Sequence, residues 1–133
     1  MKITIDGTEL DSNTIYKSNF FLYKKPIIKS TKKNNEYLYT TLIVDPDAPY
    51  PSNPTKKYFI HLMVVNSKEI KIDYYPPHPP VDSEAHRYQV LLYQQKNYIK
   101  IENSEPYPNF DLDGFVSKYN LELVDKFEFR CKY

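Results

Sequence analysis

Residues 37–65 read YLYTTLIVDPDAPYPSNPTKKYFIHLMVV, and their pattern decides the fold. Tyr37 to Val44 is an apolar run rich in β-branched and aromatic residues; Lys57 to Val65 is a second. Apolar runs of this length, bounded by turn formers, read as strands. Four prolines stud the connection between them, and two of these, Pro46 and Pro49, flank Asp47 just after Asp45. Proline fixes φ and withholds a backbone donor, so the loop is expected to hold Asp45 at a set place and angle. In the second run, Phe59, His61, Met63 and Val65 alternate with Tyr58, Ile60, Leu62 and Val64. Alternation puts each set on its own face. Both faces are largely apolar, so this strand is expected in the middle of a sheet.

Outward from that core, Lys2 to Ile5 alternates and Asp6-Gly7 offers a hairpin turn. Phe20 to Tyr23 and Pro26 to Lys29 read as short strands, separated from Tyr37 by a polar connection at residues 30–36. Glu69 to Tyr74 alternates and belongs near a sheet edge. Tyr75 to Ala85 (YPPHPPVDSEA) is too proline-rich for helix or central strand and takes an extended path. His86 to Tyr93 is again a strand, Tyr98 to Glu102 alternates briefly, and residues 106–109 read as a turn. Leu112, Phe115, Val116 and Tyr119 have helical spacing, with Asn109 or Asp111 as the cap. Leu121 to Tyr133 returns to strand, with Phe127, Phe129, Cys131 and Tyr133 on one face. The architecture predicted is mainly β, in two packed sheets or one strongly curved sheet, with a single late helix.

The 133 residues fit one domain, 1–133, with no repeat or linker. Fourteen tyrosines and seven phenylalanines against two glycines suit a stiff, aromatic-rich β protein. A formal charge of +1 argues against broad phosphate attraction of the nucleic-acid-binding kind. Cys131 is the sole cysteine, so no internal disulfide forms, and it reads as a packing residue. No apolar run reaches membrane-spanning length, and a reducing cytoplasmic setting is the expectation.

Three polar residues stand among apolar neighbours: Asp45 at a strand end, His61 within a strand, and His86 at a strand start. Adjacent strands would bring a carboxylate and two imidazoles around one small cavity walled by the proline loops. Such a dry site suits a compact anion. Imidazolium would donate to phosphate oxygen, and Tyr88 would add a hydroxyl. Asp45 alone would repel an anion, so it makes sense as the partner that orients one histidine and favours its charged form. Arg87 points the other way in its strand and reads as an ion-pair residue, with Asp47 as candidate partner. Asp47 itself is expected to accept turn N–H bonds. His78 and the lysine pairs at 24–25, 32–33 and 56–57 read as solvated.

The motifs Asp45-Pro46-Asp47-Ala48-Pro49, Phe59-x-His61-x-x-Val64-Val65-Asn66 and Pro79-Pro80-x5-His86-Arg87-Tyr88 resemble those of the phosphatidylethanolamine-binding (Raf kinase inhibitor) proteins. Pro26-Ile27, Tyr93-Gln94-Gln95 and Phe110-x4-Phe115-x3-Tyr119-x-Leu121 extend the likeness over almost the whole chain. The resemblance implies a β-sandwich with a large central sheet and an anion pocket at one end. It places Asp45, His61, His86 and Tyr88 in that pocket, with Phe59, Ala48, Pro49, Pro79 and Pro80 as walls. It implies a phosphate-bearing ligand or phospholipid head group, no cofactor, and regulatory work through partners such as kinases or proteases. Two positions depart from the family's glycines. Glu84 precedes His86 by two residues, and His78 precedes the double proline; these would place charge or bulk at the mouth. The longer members' C-terminal helix has no counterpart here.

Three other readings compete with a binding module. Two histidines and an aspartate would serve a phosphoester hydrolase as nucleophile, acid and base. The same three side chains would suit a metal. A protein-interaction scaffold with a vestigial pocket is the fourth.

Overall fold

The computed structural model describes all 133 residues. The chain runs β1 (Lys2–Ile5), β2 (Thr8–Glu9), β3 (Ile15–Lys17), β4 (Pro26–Lys29), β5 (Leu38–Asp45), β6 (Phe59–Val65), β7 (Glu69–Ile72), β8 (His86–Gln95), α1 (Leu112–Lys118) and β9 (Glu122–Lys132). Six strands form one sheet in the order β3-β9-β8-β5-β6-β7; the other three form a small sheet, β2-β1-β4. The mainly β sandwich with one late helix is the architecture the sequence predicts. β6 lies inside the large sheet and β7 at its edge. The first hairpin turns through Asp6 and Gly7, both at positive φ, a pair of values that favours glycine at the second position.

The large sheet buries both of its faces. One core lies against the helix and the segment before it: Leu42, Val44, Ile60, Met63 and Val65 pack with Ile99, Phe110 and Leu112. The other lies between the sheets: Ile43, Leu62, Tyr88, Val90 and Phe129 pack with Ile3, Ile5 and Phe21. Asp111 caps the helix, accepting from Gly114 N–H at 3.0 Å, which settles the choice between Asn109 and Asp111.

Three expectations change. Phe20 to Tyr23 is not a strand; Ser18–Phe21 forms a 3-10 turn that buries Phe21. Four residues are too few to carry a period, and aromatic content alone imitates a strand. Tyr98 to Glu102 pairs with no sheet and runs as an irregular segment. The alternation along β6 also breaks. Ile43 pairs with Leu62 but Val44 pairs with Ile60, leaving His61 as the extra residue of a β-bulge. Met63 and Val65 therefore join Ile60 beneath the helix, while His61 turns to the opposite side, against Tyr88.

Candidate functional site

Asp45 ends β5, the bulge in β6 presents His61, and β8 opens with His86 and Tyr88. These strand ends meet below the loops at residues 46–58 and 73–85. A cavity of about 170 Å3 opens there, lined by Asp45, Ala48, Pro49, Phe59, His61, Pro80, His86 and Tyr88, and also by Lys56, Tyr75 and His78. Eight of the nine site residues expected from sequence thus surround one hollow. Pro79 is the exception; it is buried and does not line the cavity. Glu84 does not line it either. His78 does, and so does Lys56, although the sequence reads both as solvated.

The polar groups of the back wall are committed to one another. Asp45 is 3% exposed. Its Oδ1 accepts Asp47 N–H at 2.7 Å, and its Oδ2 lies 2.7 Å from His86 Nδ1. His86, 1% exposed, has Ser83 Oγ at 2.8 Å from Nε2. Ser83 Oγ in turn donates to the Glu84 carbonyl at 2.8 Å. Ser83 Oγ and Asp45 Oδ2 thus hold the His86 ring from its two nitrogens. An unbroken line of contacts links Ser83, His86 and Asp45. Ser83 is the hydroxyl that sequence reasoning missed, although it is the only one between Pro80 and His86.

His61 behaves differently. Its Nδ1–H donates to the Tyr75 carbonyl at 2.7 Å, while Tyr75 N–H donates back to the His61 carbonyl at 2.9 Å. Burial holds its pKa down to about 4, against smaller upward pulls from the Tyr75 bond and Asp45. The expected imidazolium is therefore, at His61, a neutral ring whose Nε2 is an acceptor with no protein partner. Burial also pushes the Tyr88 hydroxyl far above the ordinary phenol range, keeping it a neutral donor. Phe59 packs at 4.9 Å from the His61 ring, Tyr75 at 5.6 Å and Tyr88 at 5.3 Å. These rings fix its orientation.

Asp47 does not serve its own turn; that bond goes to Asp45. It accepts Arg87 N–H at 2.7 Å, Nε at 3.1 Å and Nη2 at 2.8 Å. Burial pushes its carboxyl up, but the Arg87 bonds and charge prevail and hold it below the usual range. The Asp47–Arg87 pair thus ties the Asp45 loop to the start of β8. Cys131, opposite His86 in β9, is buried and its thiol is pushed up to about 12 by burial, as befits a packing residue. The side chains form no cluster of three His, Cys, Asp or Glu groups able to hold a metal ion. No helix is long and apolar enough to cross a membrane.

No family-wide sequence model matches the chain. Individual proteins do. It is 34% identical over 141 residues to the phosphatidylethanolamine-binding protein homolog R644 of Acanthamoeba polyphaga mimivirus, covering 98% of this chain and 96% of that one. It is 34% identical over 100 residues to putative odorant-binding protein A5 of Drosophila melanogaster, covering 65% of this chain and 48% of that one. It is also 36% identical over 109 residues to Protein MOTHER of FT and TFL1 homolog 2 of Oryza sativa subsp. japonica, covering 74% and 61%. The chain thus spans only about half to three-fifths of the latter two relatives. Among solved structures, the phosphatidylethanolamine-binding protein from Plasmodium vivax superposes with a TM-score of 0.73 at 14% identity, over 98% of this chain and 85% of that one. Carboxypeptidase Y inhibitor, solved with its cognate proteinase, superposes at 0.66 and 24% identity, over 77% and 63%. The three motifs, the sandwich and a full-length relative at this identity agree: the chain belongs to the phosphatidylethanolamine-binding protein family.

Proposed function

We propose that residues 1–133 act as one non-enzymatic domain that binds a phosphate-bearing anion in the cavity and regulates a protein partner. The observation that carries this reading is one hollow lined by His61, whose Nε2 has no protein partner, by the Tyr88 hydroxyl beside Asp45, and by Lys56, which joins no ion pair. Asp45 lines the same hollow, but His86 and Asp47 N–H cover its charge. Tyr88 and Lys56 donate to phosphate oxygens. His61 accepts, so the bound phosphate brings a hydroxyl hydrogen to Nε2 or protonates the ring as it binds. Two or three charge-assisted bonds of about 1.5–3 kcal/mol each, less ordering costs, correspond to roughly micromolar to millimolar affinity.

Ser83, His86 and Asp45 also have the spacing of a nucleophile, a base and an orienting carboxylate. Ser83 is buried and outside the cavity, and its hydrogen is spent on Glu84, which favours a clamp over a hydrolase. The regulatory half of the proposal rests on the family and on the proteinase in the carboxypeptidase Y inhibitor complex; a kinase or a protease is the partner class it suggests.

Titration of inorganic phosphate, followed by NMR of the imidazole resonances, tests the reading. His61 signals are expected to shift and saturate, and His61→Ala is expected to abolish binding. Unmoved His61 signals at high phosphate would remove the proposal.

A further inference from the structure

On the reading that the cavity takes phosphate, we infer that Lys56 makes it select plain phosphate monoesters and disfavour those that carry their own ammonium, such as phosphoethanolamine. Lys56 lines the cavity yet joins none of the ion pairs in the molecule. Its backbone is fixed, with Lys56 N–H donating to the Ala48 carbonyl at 2.9 Å. The ammonium therefore has a rooted stem and no competing carboxylate.

A zwitterionic ester needs the opposite environment at the mouth, because its own ammonium must lie a few ångströms from the phosphate. The cavity offers that ammonium no free anion. Asp45, the sole carboxylate among the lining residues, has both oxygens engaged. Asp82 and Glu84 belong to the neighbouring loop but do not line the hollow, and Asp82 accepts from the Tyr50 hydroxyl at 3.2 Å. The remaining ionisable groups of the lining, His78 and Tyr75, bring no negative charge at neutral pH. The ammonium of a bound zwitterion would thus face Lys56 without compensation, whereas a plain monoester presents only charge that Lys56 attracts. An exposed pair of this kind is worth about five-fold in affinity at low ionic strength and less as salt is added.

Methyl phosphate and O-phosphorylethanolamine, titrated separately at pH 7.5 and low salt with the His61 resonances as readout, compare the two classes. Wild-type protein is expected to bind methyl phosphate about five-fold more tightly. Lys56→Gln is expected to lower methyl phosphate affinity by a similar factor and leave phosphorylethanolamine nearly unmoved, so the preference collapses; Lys56→Glu inverts it. Thermal melts identify any variant that fails to fold, although an exposed side chain is not expected to matter. Equal or tighter binding of phosphorylethanolamine by wild type would overturn the inference and leave the phosphate reading intact. So would equal losses for both ligands in Lys56→Gln. Binding of neither ligand would bring down both.

Discussion

His61 donates its Nδ1 hydrogen to the Tyr75 carbonyl and is kept neutral by burial, with a pKa of about 4 against 6.5 for an exposed histidine. Between those values the unfolded chain binds the proton and the folded chain does not. Stability therefore rises with pH across that window: the contribution is complete above pH 6.5 and disappears as pH falls towards 4. Its ceiling is about 3 kcal/mol. Melting temperature should fall as pH drops from 7 to 5, and more steeply in wild type than in His61→Gln, which has no ring to titrate. Parallel curves would mean that His61 charges freely in the folded state. At this scale the sequence was partly legible. Asp45 and the two histidines stood out because polar side chains interrupted apolar runs. Lys56 did not, because one lysine of a Lys-Lys pair in a loop looks like solvated surface until the fold places it on the lining of the hollow.

At the scale of elements, the bulge in β6 does what alternation cannot announce. An extra residue shows only against the partner strand, since Ile43 and Val44 must be seen pairing with Leu62 and Ile60. The long strands β5, β6 and β8 were readable from length and apolar content; the 3-10 turn at Ser18–Phe21 was not, being shorter than any period. The far end of the same strands is held by a closed polar network. Gln95 Oε1 accepts from Thr40 Oγ1 at 2.7 Å and from Asn66 N–H at 2.8 Å, and Gln95 Nε2 donates to Asn66 Oδ1 at 2.9 Å. Asn66 carries the tie onward through Ile99, accepting its N–H and donating to its carbonyl. All of these groups are buried, so Gln95→Leu should cost about 3 kcal/mol by stranding several of them. A urea titration reads that loss. Phosphate binding by the still-folded fraction should be unchanged, because the network sits at the opposite end of the sheet from the cavity. An unaltered urea midpoint would mean that the network adds nothing.

Over the whole molecule, opposite charges nearly cancel: 18 basic and 17 acidic residues give a net +1 and an isoelectric point near 7.7. A molecule so close to neutrality has little self-repulsion. Light scattering at low salt should show more association at pH 7.7 than at pH 6, and added salt should not be needed to provoke it. The same neutrality leaves no broad field to draw anions in, so selection among them falls to groups at the cavity itself. The fold class was legible at this scale because two buried faces demand long apolar strands on both sides of the central sheet. The division of the chain into a three-stranded and a six-stranded sheet was not, since it depends on which distant strands pair.

The mutual engagement of Ser83, His86, Asp45 and Asp47 gives the hollow a floor that needs nothing from a guest. Charge at the rim can then drift from one descendant to another without unravelling what lies beneath. A lineage, or an engineer, could exchange one class of visitor for another by editing position 56 alone.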